Sequence, residues 1–278
     1  MPRGCSDGHV RDYEPAMSFD EQTAEWYVTA TRGDEEAAVA FLAEHAGEGH
    51  VLELGIGTGR LALPLAARGL QVHGVDVAAP MLDRLRGHPG ADGMNLVLGD
   101  MADVPVPGTY RLVLVAWNSF FNLLTQDAQV RCFANVAEHL ADDGAFVLEC
   151  LVPRDIPVGG YVEPDAVELG GAQIGVWKHD PVMQVIEGQH IWMGEDGIKV
   201  NPIVQRYAWP AEMDLMARLA GLRLAERWED WERRAFTARS TSHVSVVVVD
   251  TEASSSGRIS STSFARSMRV TTNRPRPE

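Results

Sequence analysis

Residues 51–60, VLELGIGTGR, set three glycines at alternate positions directly behind an apolar run. A glycine-rich turn between a strand and a helix lets a ligand approach the backbone and offers it the free N–H groups of the helix start. The stretch therefore commits the chain to a strand, turn and helix unit, which belongs in a parallel sheet covered by helices.

The flanking sequence repeats that unit. Asp34, Glu35 and Glu36 place acid in the first turn of a helix carrying Ala38, Phe41 and Leu42 on one face. A strand is expected at His50 to Leu54, a helix at Leu61 to Arg68 stopped by Gly69, and a second strand at Gln71 to Val75. A helix at Met81 to Arg86 leads to a short third strand at Leu96 to Leu98. Tyr110 to Trp117, YRLVLVAW, is apolar almost throughout and reads as a central strand buried on both faces. Thr125 caps a helix to about Leu140, and a fifth strand follows through Gly144.

From Leu151 the pattern changes. VMQVIEGQHIWM and IKVNPIVQRYAW flank GEDG and read as two antiparallel strands joined by a turn, with Pro202 confined to an edge or a bulge. A helix opening at Pro210 and two closing strands, LRLAERWEDW and HVSVVVVD, return to the core. The division expected is a flexible segment at 1–20, a core built from 21–152 and 209–250, an inserted antiparallel, substrate-binding layer at 153–208, and a disordered tail at 251–278. The tail is Ser-, Thr- and Arg-rich and lacks the apolar residues that would repay its ordering.

Charge narrows the function. With 24 Lys and Arg against 39 Asp and Glu, the formal charge is −15. The tail carries five Arg against Glu252 and Glu278, a net of +3, which leaves −18 on the rest. Such a body repels phosphate backbones and anionic membranes, so neither nucleic acid nor membrane is expected as a partner. The three cysteines, Cys5, Cys132 and Cys150, form neither a disulfide framework nor a metal pattern, and the nine histidines show no ligand spacing. No metal is expected. No run reaches the roughly 18 apolar residues of a membrane span, nor is there a signal core at the N-terminus, so a cytoplasmic protein is expected.

The loop excludes two common phosphate cradles. A dinucleotide fingerprint starting at Gly55 and Gly57 needs a third glycine where Arg60 stands, and no G-K-[ST] follows. Asp76 at the end of the second strand suits the two hydroxyls of a ribose, and Gly99-Asp100-Met101 after the third strand suits an adenine edge. Glu53, Asp76 and Asp100 at three successive strand ends fit a cationic ligand without phosphate.

ELGIGTGR, VHGVDVAAPML, LVLGDMAD and VLVAWNSF occur in the order and at about the separations of the class I S-adenosylmethionine-dependent methyltransferases, which this chain resembles. The resemblance implies an α/β, Rossmann-like fold: a seven-stranded, mostly parallel sheet with helices on both faces, plus the inserted antiparallel layer. It also implies S-adenosyl-L-methionine as cofactor. Gly55, Gly57 and Gly59 would line the methionine part, Asp76 would hold the ribose, and Glu53 would orient the loop and the amino group. Asp100 would bind the adenine amine with Met101 packed on the ring. Ile56, Val77, Met81, Gly99, Ala116 and Trp117 would complete the site.

After the fourth strand this chain has Trp117-Asn118-Ser119-Phe120, not the D/N/S-P-P-aromatic signature of nucleic-acid amino-methyltransferases. The insertion is similar to that of actinobacterial antibiotic amino-sugar and glycopeptide N-methyltransferases. The sugar enzymes carry a histidine close to position 122, which is Asn122 here. Substrate-facing candidates are Tyr27, Asn118, Asn122, Tyr161 and Arg206, and His190 is weighed as a base against a simpler place in solvent on an edge strand. The expected function is methyl transfer to a small-molecule acceptor, amine ahead of hydroxyl or carbon, in natural-product biosynthesis, by a monomer or homodimer. A silent cofactor-binding protein of the same fold and a nicotinamide oxidoreductase stay open as alternatives.

Overall fold

The computed structural model describes residues 13–251 except Ala30, Leu169 and Asp196. The main sheet runs β10-β11-β5-β4-β1-β2-β3. Its parallel strands are β1 (Val51–Leu54), β2 (Val72–Asp76), β3 (Asn95–Leu98), β4 (Tyr110–Val115) and β5 (Leu140–Leu151). The closing strands β10 (Leu222–Trp228) and β11 (Ser242–Val249) are antiparallel, β11 lying between β5 and β10.

The nearly continuous apolar run of β4, broken only by Arg111, follows from burial on both faces. Val113 and Val115 join a core with α5 (Gln126–His139) and α6 (Pro210–Leu219), through Phe133, Val136, Met213 and Met216. Leu112 and Leu114 join the opposite core with α2 (Glu35–Ala46), α3 (Ala62–Ala67) and α4 (Ala79–Arg86), through Phe41, Leu42, Leu65 and Leu82. Thr125 caps α5 as expected, its hydroxyl accepting from Ala128 N–H at 3.1 Å. Asp34 does not cap α2; it pairs with Arg60 at 3.1 Å.

Strands β1 to β4 and β11 fall where alternation places them, within a residue or two at each end; β5 already starts at Leu140, ahead of the turn expected at Gly144, and β10 stops at Trp228, three residues before Trp231. Two readings change. The inserted layer has four strands rather than two: β6 (Gly159–Glu168), β7 (Gly171–Asp180), β8 (Val185–Gly194) and β9 (Gly197–Arg206), in that order across the sheet. The first pair carries Gly159, Gly160, Pro164 and Gly171, residues that weaken a strand signal. Two further glycines lie close to Trp177: a Cβ on Gly175 would come within 2.1 Å of its indole, and one on Gly188 would meet the Val176 carbonyl at 2.1 Å and the indole at 2.8 Å. The ring therefore lies against the sheet. Pro202 is on β9, an edge strand, as expected.

The second change concerns 1–20. Residues 1–12 lie outside those described, but Pro15–Ser18 form a 3-10 turn, and Ser18 is buried with its hydroxyl donating to the Pro202 carbonyl. This turn and α1 (Glu21–Thr29) bridge the inserted sheet and the core. Of the expected tail 251–278, everything after Thr251 lies outside the described residues.

Candidate active site

The sheet reverses strand order between β1 and β4, and a cavity opens at the carboxyl ends of the strands there, where α/β folds bind ligands. Of the thirteen residues proposed for the cofactor, Gly59 alone is absent from the cavity wall. Gly59 has φ +89°, and a Cβ on it would lie 2.5 Å from Leu85, so it is there for packing between the loop and the helices. Gly55 and Gly57 also have positive φ, 72° and 58°, and both do face the cavity.

Both oxygens of Asp76 are engaged by the loops around them: Gly57 N–H donates to Oδ2 at 2.8 Å and Ala78 N–H to Oδ1 at 2.9 Å. Each oxygen keeps lone-pair capacity for a ligand hydroxyl. Burial raises the Asp76 pKa, and these N–H bonds oppose the rise. Asp100 Oδ1 accepts from Ala102 N–H at 2.8 Å, so the backbone orients its carboxylate at the cavity.

Glu53 is 5% exposed, and its Oε2 has no hydrogen-bond partner in the protein. Burial pushes its pKa up to about 8, with Arg60 opposing and Asp76 adding to the rise. A buried carboxylate oxygen left without a partner is costly unless a ligand supplies one. An ammonium group meets that need, and the donor set at Asp76 and Asp100 meets the ribose and adenine of an adenosyl ligand, so the residues present fit S-adenosylmethionine.

Trp117 forms the β4 side of the wall. Trp117 and Asn118 both have positive φ, 51° and 61°, a conformation costing roughly 1–2 kcal/mol per non-glycine residue. Strand β5 holds this turn. Glu149 Oε2 accepts from Trp117 N–H at 2.9 Å, and Asn118 Oδ1 accepts from Leu151 N–H at 2.6 Å. The other Glu149 oxygen pairs with Arg32 at 2.7 Å. Arg32 and Arg60 both lie against the Trp117 ring, 5.4 and 5.3 Å from its centroid, their charges met by Asp34, Glu35 and Glu149.

Tyr27 reaches the cavity from α1, its ring 5.1 Å from that of Trp117. Burial, then Asp76, pushes its pKa up to about 12 while Arg60 opposes, so the hydroxyl stays protonated. Asn122 also lines the cavity, with Gln205 Nε2 at 3.5 Å from its Oδ1.

The other acceptor candidates lie elsewhere. Asn118 is spent on Leu151. Arg206 is buried on the opposite side of β9, paired with Glu212 at 2.8 Å and bonded to Gln129, so its charge requires structural partners. Tyr161 stands on β6, away from the cavity wall. His190 is on β8, an interior strand rather than an edge, and its Nδ1 meets Asp165 at 2.8 Å.

Sequence reasoning missed Pro15, Ser18, Phe19, Thr58, Arg60, Val75, Ser119, Leu123, Ile203 and Gln205 on the wall. Period-2 alternation in β9 could have placed Ile203 and Gln205 on one face; nothing local marks the N-terminal turn.

An acid-lined pocket at the switch point of a seven-stranded α/β sheet, fitted to a cationic adenosyl ligand, defines an S-adenosylmethionine-dependent transferase. The chain belongs to the S-adenosylmethionine-dependent methyltransferases. The methyltransferase domain family matches residues 51–144. The CcbJ methyltransferase from Streptomyces caelestis is 39% identical, over 85% of this chain and 99% of that one, with a TM-score of 0.81. The cypemycin N-terminal methyltransferase of a Streptomyces species is 28% identical over 193 residues, 68% of this chain and 79% of that protein. CalS10, an amino pentose methyltransferase from Micromonospora echinaspora, shares the fold at 23% identity, over 82% of this chain and 97% of that one, with a TM-score of 0.62.

Among the described residues, no helix is long and apolar enough to cross a membrane.

Proposed function

We propose that the chain methylates an amine of a small-molecule acceptor in natural-product biosynthesis, acting in the cytoplasm as a monomer or homodimer. The observation that carries this reading is the partnerless Glu53 Oε2 in a pocket otherwise built for an adenosine.

S-adenosylmethionine supplies an electrophilic sulfonium methyl. Glu53 takes its amino group, Gly55 and Gly57 its methionine part, Asp76 the ribose hydroxyls, and Asp100 the adenine amine. Ile56, Val77, Met81, Gly99 and Met101 enclose the ring, and Ala116 and Trp117 form the wall toward the acceptor. Tyr27 and Asn122, with Gln205 beside it, orient the acceptor nitrogen, while Phe19 and Ile203 keep water out. In-line alignment and exclusion of water can supply about 7–11 kcal/mol of barrier lowering, so an amine that arrives unprotonated requires no dedicated base. The relatives named as a cypemycin N-terminal methyltransferase and an amino pentose methyltransferase support nitrogen as the acceptor atom.

Calorimetric titration should show S-adenosylmethionine binding that drops at least 100-fold in Asp76→Ala. Incubation with methyl-labelled cofactor should move label onto amines among amino sugars and peptide N-termini. Silence across amines, alcohols and enols would sink the proposal.

A further inference from the structure

We infer that the acceptor is elongated, and that its distal part, a segment of linked hydroxylated rings, binds a second cavity beneath α1. This rests on reading the first cavity as the methyl-transfer site. The second cavity is lined by Gln22 and Trp26 of α1 and by Gln173, Trp192, Lys199 and Asn201 of the inserted sheet.

Strand register shows that the two cavities share one floor. Across β8 and β9, Ile186 pairs with Gln205, Gly188 with Ile203, His190 with Asn201 and Trp192 with Lys199. Directly opposed residues of an antiparallel pair share a face, so these eight form a single surface. Its Ile203 and Gln205 line the first cavity, and its Trp192, Lys199 and Asn201 line the second. From Ile203 to Lys199 the strand advances four residues, about 14 Å at ~3.4 Å each. One ring or one amino-acid residue cannot bridge that distance. Helix α1 roofs both ends: Tyr27 over the first cavity and its neighbour Trp26 over the second, where it meets Trp192 with ring centroids 6.2 Å apart.

The lining selects the chemistry. Two indoles offer faces to the CH surfaces of rings, and three amide side chains offer donors and acceptors to hydroxyls. The charge is close to balanced: Lys199 is the cation on the wall and Asp20 the anion. A diphosphate would find no net positive field there. It follows that methyl transfer comes after the coupling step that joins the rings, rather than on a nucleotide-activated monomer.

The full chain loaded with S-adenosylhomocysteine, titrated with glucosamine, its β-1,4-linked dimer and trimer, and thymidine diphosphate, tests this. Affinity should rise at least tenfold from monomer to trimer, the trimer should shift the Trp192 indole N–H resonance, and thymidine diphosphate should bind no better than the monomer. Trp192→Ala and, independently, Gln22→Ala on the roof should each reduce the trimer-to-monomer ratio at least threefold. A flat series, no trimer binding, or preferential thymidine diphosphate binding overturns the inference. Loss of S-adenosylhomocysteine binding in the same samples would instead strike the methyltransferase reading of the first cavity.

Discussion

Glu53 makes cofactor binding pH-dependent in a definite direction. With a pKa of about 8 in the free pocket, it is mostly protonated at pH 6, and a cationic ligand must release that proton to pair with the carboxylate. Calorimetry should find the dissociation constant for S-adenosylmethionine tightening as pH rises from 6 to 8, by up to about tenfold per unit, with proton release into the buffer. Glu53→Gln should flatten that dependence. The same raised pKa makes this residue's contribution to the stability of the free protein decline as pH rises from about 4.5 through 8, because the folded state holds the proton more tightly than the unfolded one. The acids of this site were legible because Glu53, Asp76 and Asp100 each lie at or just past the carboxyl end of a strand, at a spacing that a cofactor imposes. Arg60 was legible only as a missing glycine; its placement against Trp117 depends on Asp34, which no local pattern links to it.

Among the elements, β5 works as the brace of the catalytic face. Its Glu149 and Leu151 hold two successive left-handed residues at the end of β4, and Glu149 also anchors Arg32 from the segment between α1 and α2. Glu149→Ala leaves the Trp117 N–H and the Arg32 guanidinium without their shared partner. Stability by urea denaturation should fall by roughly 1–3 kcal/mol, the lower end applying because Arg32 is partly solvated, and cofactor affinity should weaken with it. Glu149→Gln should retain part of both. The β and α elements of the core were readable from apolar periodicity and end signals, whereas β6 and β7 were not. Gly159, Gly160, Pro164 and Gly171 break their apolar alternation, and the close approach of Trp177 on β7 to Gly188 on β8 is a constraint between strands that leaves no local period.

At the scale of the whole molecule, the N-terminal turn closes a cavity whose floor is made by residues nearly two hundred positions away. Deleting residues 1–20 should therefore leave a cooperative thermal transition while weakening S-adenosylmethionine binding at least tenfold in calorimetry, since Pro15, Ser18 and Phe19 bury no part of the two main cores. The formal charge of −15 should draw a cationic cofactor in; its stopped-flow association rate should fall several-fold between about 10 and 300 mM salt. The order of strands has another consequence, felt before the enzyme is finished. Strand β5 ends at Leu151, but its neighbour β11 begins only at Ser242, so on the ribosome the Phe146 to Leu148 edge waits unpaired while the whole inserted sheet is made. At ~5–20 residues per second that wait is on the order of ten seconds. An apolar strand edge open for that long is a template for another nascent chain, and the hairpins β6 to β9, which pair only with their own neighbours, can mature during the wait without ever relieving it.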